Sequence, residues 1–256
     1  MKNEAYIVEV LYNYYQELLQ HYSKSSILGV FLFGSQNYNF STPVSDIDAQ
    51  AIYVPTYEEM VNLKEPISKV YETETGNIVI KDIRLMWKMW KKQNINFVEI
   101  LFTDYYLTNS DYTELWDMIR AYNEKIARYN PLYTVNSIVG QCRSTFSYTV
   151  LNGKKVANFK RFLDFLSKYL NGRNYRECIT VSEAFKSEWL PIKIENKPFN
   201  KGDNAVQLIQ LAEELDKLQA KGIELYKDKE IDNSFIDSFM TNRMIEALNI
   251  RKQLDI

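Results

Sequence analysis

Among its 256 residues the chain has one histidine, two cysteines, no run of apolar residues long enough to cross a bilayer, and almost no net charge. Each scarcity removes a class of function. A single histidine, His21, rules out zinc sites built on paired histidines, and its place at the end of a predicted surface helix makes it a poor base for a hydrolytic triad. Cys142 and Cys178 stand alone in helix-like segments without metal-ligand spacing, so buried, reduced thiols and a cytoplasmic setting are expected. Met1-Lys2-Asn3-Glu4 opens no secretory signal, and no membrane association is expected. A formal charge of −2 does not advertise a nucleic-acid binder. No Gly-x-x-x-x-Gly-Lys-Ser/Thr loop occurs. An EF-hand loop begun at Asp46 fails at its sixth and twelfth positions, where Ala51 and Tyr57 stand. Internal repeats and low-complexity segments are also missing.

What remains is a soluble-type composition, 46% hydrophobic and 25% charged, long enough to bury one or two cores. Ile7, Val10, Leu11, Tyr14 and Leu18 make one helical stripe, predicting an opening helix over 6–20. Apolar runs at 27–33 and 46–54 read as strands, and 77–83 as a third. In that third strand Ile78, Ile80 and Asp82 share one face, opposite Val79, Lys81 and Ile83, which suits an interior position. Thr56-Tyr57-Glu58-Glu59 predicts a capped helix start, and Met86 to Lys92 a further helix. From Asp111 onward helical stripes dominate. One runs through Val135, Ile138, Val139, Cys142, Phe146 and Val150, and another through Phe159, Phe162, Leu163, Leu166 and Leu170 to a stop at Asn171-Gly172. Others cover 206–218 and 236–254, while Trp189 to Asp203 reads as irregular. The expectation is an α+β protein: a small mixed β-sheet core with helices over residues 1–108, followed by a helical domain over 109–256.

The most informative stretch runs from Gly29 to Val54. The first apolar strand ends at Gly34-Ser35, a polar turn follows, and the next strand begins with Asp46-Ile47-Asp48. Alternate residues of a strand lie about 6.6 Å apart on one face. Asp46 and Asp48 are therefore expected to project together, with Ile47 turned into the core. Two such carboxylates can hold a hard cation, as metal-dependent phosphoryl and nucleotidyl transfer requires. Gly34 and Ser35 put small, backbone-rich groups where a triphosphate could approach.

This pattern resembles the DNA polymerase β nucleotidyltransferase superfamily. The longer string Phe33-Gly34-Ser35-x-x-Tyr38 with Thr42-Pro43-x-Ser45-Asp46-x-Asp48 is similar to a narrower bacterial and phage group, the RNA-repair-pathway polymerase β-like family. So is the block Lys81-Asp82-Ile83-Arg84 leading to Lys91–Phe102. The resemblance covers roughly residues 27–102 and implies transfer of NMP from a nucleoside triphosphate to a hydroxyl through Mg²⁺, with Mn²⁺ as a substitute. It implies that Asp46 and Asp48 bind two ions and that a third carboxylate from a neighbouring strand, mapped onto Asp82 with Glu72 and Glu74 as competitors, holds the acceptor-side ion and helps remove the hydroxyl proton. It further implies Gly34, Ser35 and Tyr38 as nucleotide-binding residues, and Lys160 or Arg161 as a cation for the leaving pyrophosphate. Two positions depart from the narrower group: Asn39 stands where glycine is common, and Gln36 where a basic residue or histidine is common.

The acceptor stays open between RNA, a protein and a small molecule. The basic residues Lys154, Lys155, Lys160, Arg161, Lys168, Arg173 and Arg176 suit an RNA backbone, and equally a solvated helix face. A third reading keeps the fold as a non-catalytic nucleotide-binding module.

Overall fold

A computed structural model describes residues 2–146, 151–199, 204–230 and 232–255. In chain order its elements are α1 (Glu4–Leu19), β1 (Ile27–Phe33), β2 (Asp48–Tyr53), α2 (Tyr57–Val61), β3 (Ser68–Glu72), β4 (Asn77–Asp82), α3 (Ile83–Lys91), α4 (Ile95–Val98), β5 (Tyr106–Thr108), α5 (Thr113–Ala121) and α6 (Asn123–Ala127). There follow α7 (Pro131–Phe146), β6 (Leu151–Asn152), α8 (Gly153–Leu170), α9 (Tyr175–Ile179), α10 (Glu183–Glu195), β7 (Pro198–Phe199), α11 (Ala205–Tyr226) and α12 (Ser234–Leu254). The fold is α+β, as the sequence predicts.

Two compact units form. The first gathers Met1–Asn37, Pro43–Tyr129 and Asp232–Ile256; the second gathers Tyr38–Thr42 and Asn130–Ile231. The division expected at residue 108 does not coincide with this boundary. Residues 109–129 stay with the sheet, where Tyr112 donates to the Ser25 carbonyl at 2.6 Å. The last helix stays there too, because Arg251 donates to the Val54 carbonyl at 2.6 Å.

The first unit is built on a five-stranded sheet in the order β3-β4-β2-β1-β5. β1 runs antiparallel to β2 and β5, β2 parallel to β4, and β3 antiparallel to β4, so the sheet is mixed. β4 is interior, as its two-sided apolar pattern requires. The α1 stripe Ile7, Val10, Leu11, Tyr14 and Leu18 buries itself with Ala49, Ala51, Tyr53, Ile78 and Ile80. That assigns one face of β2 and β4 to the core and leaves Asp48, Gln50, Asn77, Val79 and Lys81 on the other. β3 and β5 were not expected. β3 exposes most of its side chains and β5 has only three residues, so neither offers an alternation to read.

In the second unit α7, α8, α10 and α11 pack together. Phe159, Phe162, Leu163, Leu166 and Leu170 are all buried, and the chain turns at Gly172 with φ 77°. Val135, Ile138, Val139 and Cys142 are buried as expected; Val150 and the side chain of Phe146 lie outside the described residues. The stretch expected to be irregular is corrected: residues 183–195 are helical despite Pro191. Ser182 caps the helix through the Phe185 amide, and Trp189 and Lys193 are buried, so capping and packing outweigh the proline. Residues 200–203, at the end of that stretch, lie outside the described residues. Both cysteines are free and buried, and burial pushes the Cys142 thiol up to about 12.

Candidate active site

Residues 34–36 leave β1 in a single tight turn, with Gly34 at φ 79°. Glycine suits this position because an L side chain is strained at such a φ; a Cβ here would sit in ordinary contact, 3.5 Å from Asp48 Oδ2. Ser35 is half-buried, and its hydroxyl has no hydrogen-bond partner among the described residues. One expectation changes. The Gly34 amide is not open to a phosphate, because it donates at 3.3 Å to the buried carboxylate of Glu99. Asn37 donates to the same residue, at 3.4 Å to its carbonyl and 3.5 Å to its carboxylate. Glu99 thus braces the turn from beneath.

Asp46 lies two residues before β2 rather than within it. It is exposed, Ile47 is 1% exposed, and Asp48 is half-buried at the strand's first position. The inward turn of Ile47 between two outward carboxylates agrees with the sequence reading. Their backbone is held on two sides. Tyr14 of α1 donates to the Ile47 carbonyl at 2.7 Å and shares a 2.8 Å hydrogen bond with Thr75, while the Ile47 amide donates to the Thr75 carbonyl at 2.9 Å. Gly76, at φ 152°, lets the backbones touch, for a Cβ there would lie 2.2 Å from the Ile47 carbonyl oxygen. Burial pushes the Tyr14 phenol up, and the charges of Asp48 and Asp46 add to the effect against its Thr73 and Thr75 hydrogen bonds.

Asp82 is a correction. The parallel register pairs Tyr53 with Asp82 and Ala49 with Ile78, so Asp82 lies at the far end of β2 from Asp48. Five residues of strand separate the two ends, roughly 16 Å. It also faces the α1 core instead of the Asp48 face. There it is 0% exposed and fully engaged: its Oδ1 accepts from the Arg84 amide and Nε at 2.9 Å, and its Oδ2 from Arg84 Nη2 at 2.6 Å. Asp82 caps α3 and neutralises Arg84. The residue beside Asp48 is Asn77, whose backbone and side-chain amides donate to Asp48 Oδ1 at 3.2 and 3.4 Å. Glu72 pairs with Asn77 one strand further out and is exposed, as is Glu74.

The remaining expected residues belong to the second unit. Tyr38 is buried, with its ring 3.9 Å from the Arg161 guanidinium carbon. Lys160 is already paired with Glu214 at 2.6 Å. Asn39 takes φ 60°, the left-handed turn that asparagine tolerates in place of glycine. In the first unit Gln36 is buried and accepts from the Lys2 amide at 3.1 Å.

A family model described as the RNA repair pathway DNA polymerase beta family matches residues 13–162, more than half of the chain. The chain belongs to that family. No curated protein matches it. The match takes in Tyr14 of α1 and Arg161 of α8. In this member of the RNA repair pathway DNA polymerase beta family, no three His, Cys, Asp or Glu side chains among the described residues are grouped so as to hold a metal ion. An arrangement of three carboxylates and two ions therefore does not fit. Mg²⁺ is commonly held by one or two carboxylates with phosphate oxygens completing its shell, and Asp46 and Asp48 are the residues here that could hold such an ion. No described helix is long and apolar enough to cross a membrane.

Sequence reasoning missed Glu99, Asn77 and Tyr14. Glu99 lay inside the second block that carries the resemblance, and Asn77 opened the third strand. Tyr14 carried no mark beyond its place on a helical stripe.

Proposed function

We propose that the chain is a nucleotidyltransferase whose nucleoside triphosphate binds at the Gly34-Ser35 turn beside Asp46 and Asp48, and whose NMP goes to a hydroxyl of RNA. The observation that carries this reading is the convergence of the turn and Asp48, with a Cβ at Gly34 only 3.5 Å from the Asp48 carboxylate, in a member of a polymerase β-type family. Ser35 contributes a hydroxyl donor for a phosphate oxygen. Asp46 and Asp48 would hold a divalent cation, Mg²⁺ or Mn²⁺, which supplies charge neutralisation at the phosphates. The Tyr14, Thr75 and Gly76 contacts fix the aspartates' backbone, so the carboxylates are positioned before the nucleotide arrives.

A second reading, nucleotide binding without turnover, is favoured by one observation: an amide, Asn77, stands against Asp48 and, among the described residues, no third acid is grouped with the pair. Incubation with each α-labelled triphosphate, Mg²⁺ and separate RNA, protein and small-molecule acceptors distinguishes the readings. Label on RNA is the expected result. Label only on protein or on a small molecule contradicts the RNA acceptor, and binding without label on any acceptor supports the second reading.

A further inference from the structure

We infer that the aromatic face formed by Tyr122, Phe235 and Phe239 in the first unit is the docking surface for a single-stranded RNA acceptor, an inference that rests on the RNA transfer proposed above. Tyr122 stands between α5 and α6, and the two phenylalanines lie one turn apart on α12. The rings pack on one another, with centres 4.4 Å apart for Tyr122 and Phe239, 5.7 Å for Tyr122 and Phe235, and 6.4 Å for the two phenylalanines. This packing ends at solvent: Phe235 is 53% exposed, although Ile236 and Met240 of the same helix are buried. α12 packs on α3 and α5 within the first unit. The residues after α3 lead to the proposed site, where Glu99 meets the Gly34 amide. The face and the turn therefore belong to one compact unit.

A cation without an acid completes the face. Lys125 is exposed, with Nζ 4.9 Å from the Phe235 ring centre and 5.2 Å from that of Tyr122. Among the described residues it makes no ion pair or side-chain hydrogen bond. The neighbouring charges are matched: Lys91 with Asp237 at 3.1 Å, Arg128 with Glu124 at 3.2 Å and Arg243 with Glu246 at 2.8 Å. Asp232 accepts from the Ser234 amide at the start of α12, where the helix dipole offsets its charge. The charge left over beside the rings is that of Lys125. A single-stranded RNA answers both features. A base lays its π-face on an exposed ring whatever its identity, and the adjoining phosphate takes the lysine. An apolar protein surface would cover Phe235 while desolvating Lys125 without a counter-charge, and a duplex keeps its bases stacked inside.

The test measures binding of the full chain, without metal or nucleotide, to a short fluorescent single-stranded RNA and to the same sequence as a duplex. Wild type is compared with Phe235→Ala, Phe235→Trp, Lys125→Gln and Asp48→Asn. The single strand is expected to bind wild type more tightly than the duplex does. Its affinity should fall about tenfold in Phe235→Ala and be retained in Phe235→Trp, since one base loses and then regains its stacking partner. Lys125→Gln should flatten the plot of log affinity against log salt by about 0.7, the loss of one phosphate contact on a single strand. Asp48→Asn should bind as wild type does. Equal single-strand binding by wild type and Phe235→Ala, an unchanged salt slope in Lys125→Gln, or a duplex bound as tightly as the single strand overturns the inference. Absence of RNA binding by wild type overturns it as well, and a wild-type dimer that Phe235→Ala dissolves gives the face to a second copy and does the same. RNA labelled by a chain whose binding ignores Phe235 and Lys125 would sink this surface and spare the proposed activity. Binding that depends on Phe235, with no label reaching RNA, would spare the surface and sink the activity.

Discussion

The two ends of the β2–β4 pair carry aspartates to opposite fates. At one end Asp48 is half-buried, receives two amides from Asn77 and lies beside a glycine turn. At the other Asp82 is sealed in the core, caps α3 and is saturated by Arg84. A carboxylate already matched by an arginine and a helix amide has little left to offer a ligand. Residue type nominated both aspartates. Register and face decide between them.

That contrast can be broken from the Asp82 side first, where the largest effect is expected. Asp82→Ala should cost about 3 kcal/mol in urea unfolding, because it strands Arg84 and removes a helix cap. The figure sits at the low end for a buried pair because the Arg84 side chain is 22% exposed. A loss under about 1 kcal/mol would deny Asp82 its architectural role. At the other end, Asp48→Asn should leave stability within about 0.5 kcal/mol and lower transfer at least about a hundredfold, the scale of removing one electrostatic group from a catalytic site. Equal turnover in this variant and wild type would remove Asp48 from the chemistry.

Tyr14→Phe sharpens the comparison by loosening the backbone between the aspartates together with the Thr73 and Thr75 hydroxyls that share the phenol. Losing the 2.7 Å bond to Ile47 should cost about 1 kcal/mol in unfolding, with hydrogen exchange at Ile47 rising and that at Asp82 unchanged. A uniform rise across the sheet would mean that the contact is not local. The smallest effect belongs to Asn77→Asp. Placing a like charge against Asp48 should lower Tm slightly without divalent ions, and Mn²⁺ should restore it, giving a larger Mn²⁺-induced rise than wild type shows. Identical Mn²⁺ responses would place the cation elsewhere.

Much of the frame was legible in the sequence because its signals are local. The α1 stripe, the limits of β1, the Thr56–Glu59 capping box and the stop at Gly172 each follow from a few neighbouring residues, and each is found. So is the inward turn of Ile47 between Asp46 and Asp48. The third carboxylate failed for a different reason. Alternation had already put Asp82 on the face of Ile78 and Ile80, which is the core face, but the strand register relative to β2 depends on tertiary pairing. Pro191 misled similarly, since a proline lowers the odds of a helix locally while Ser182, Trp189 and Lys193 act through capping and packing. Glu99 reaches Gly34 across 65 residues, a distance that no local pattern spans.

The most direct test of the account is a crystal structure with a non-hydrolysable triphosphate and Mn²⁺, read through the anomalous signal of the metal. It predicts a manganese peak against the Asp46 and Asp48 carboxylates, with the triphosphate lying along Gly34 and Ser35. A peak at Asp82, or a triphosphate bound away from the Gly34 turn, would contradict it.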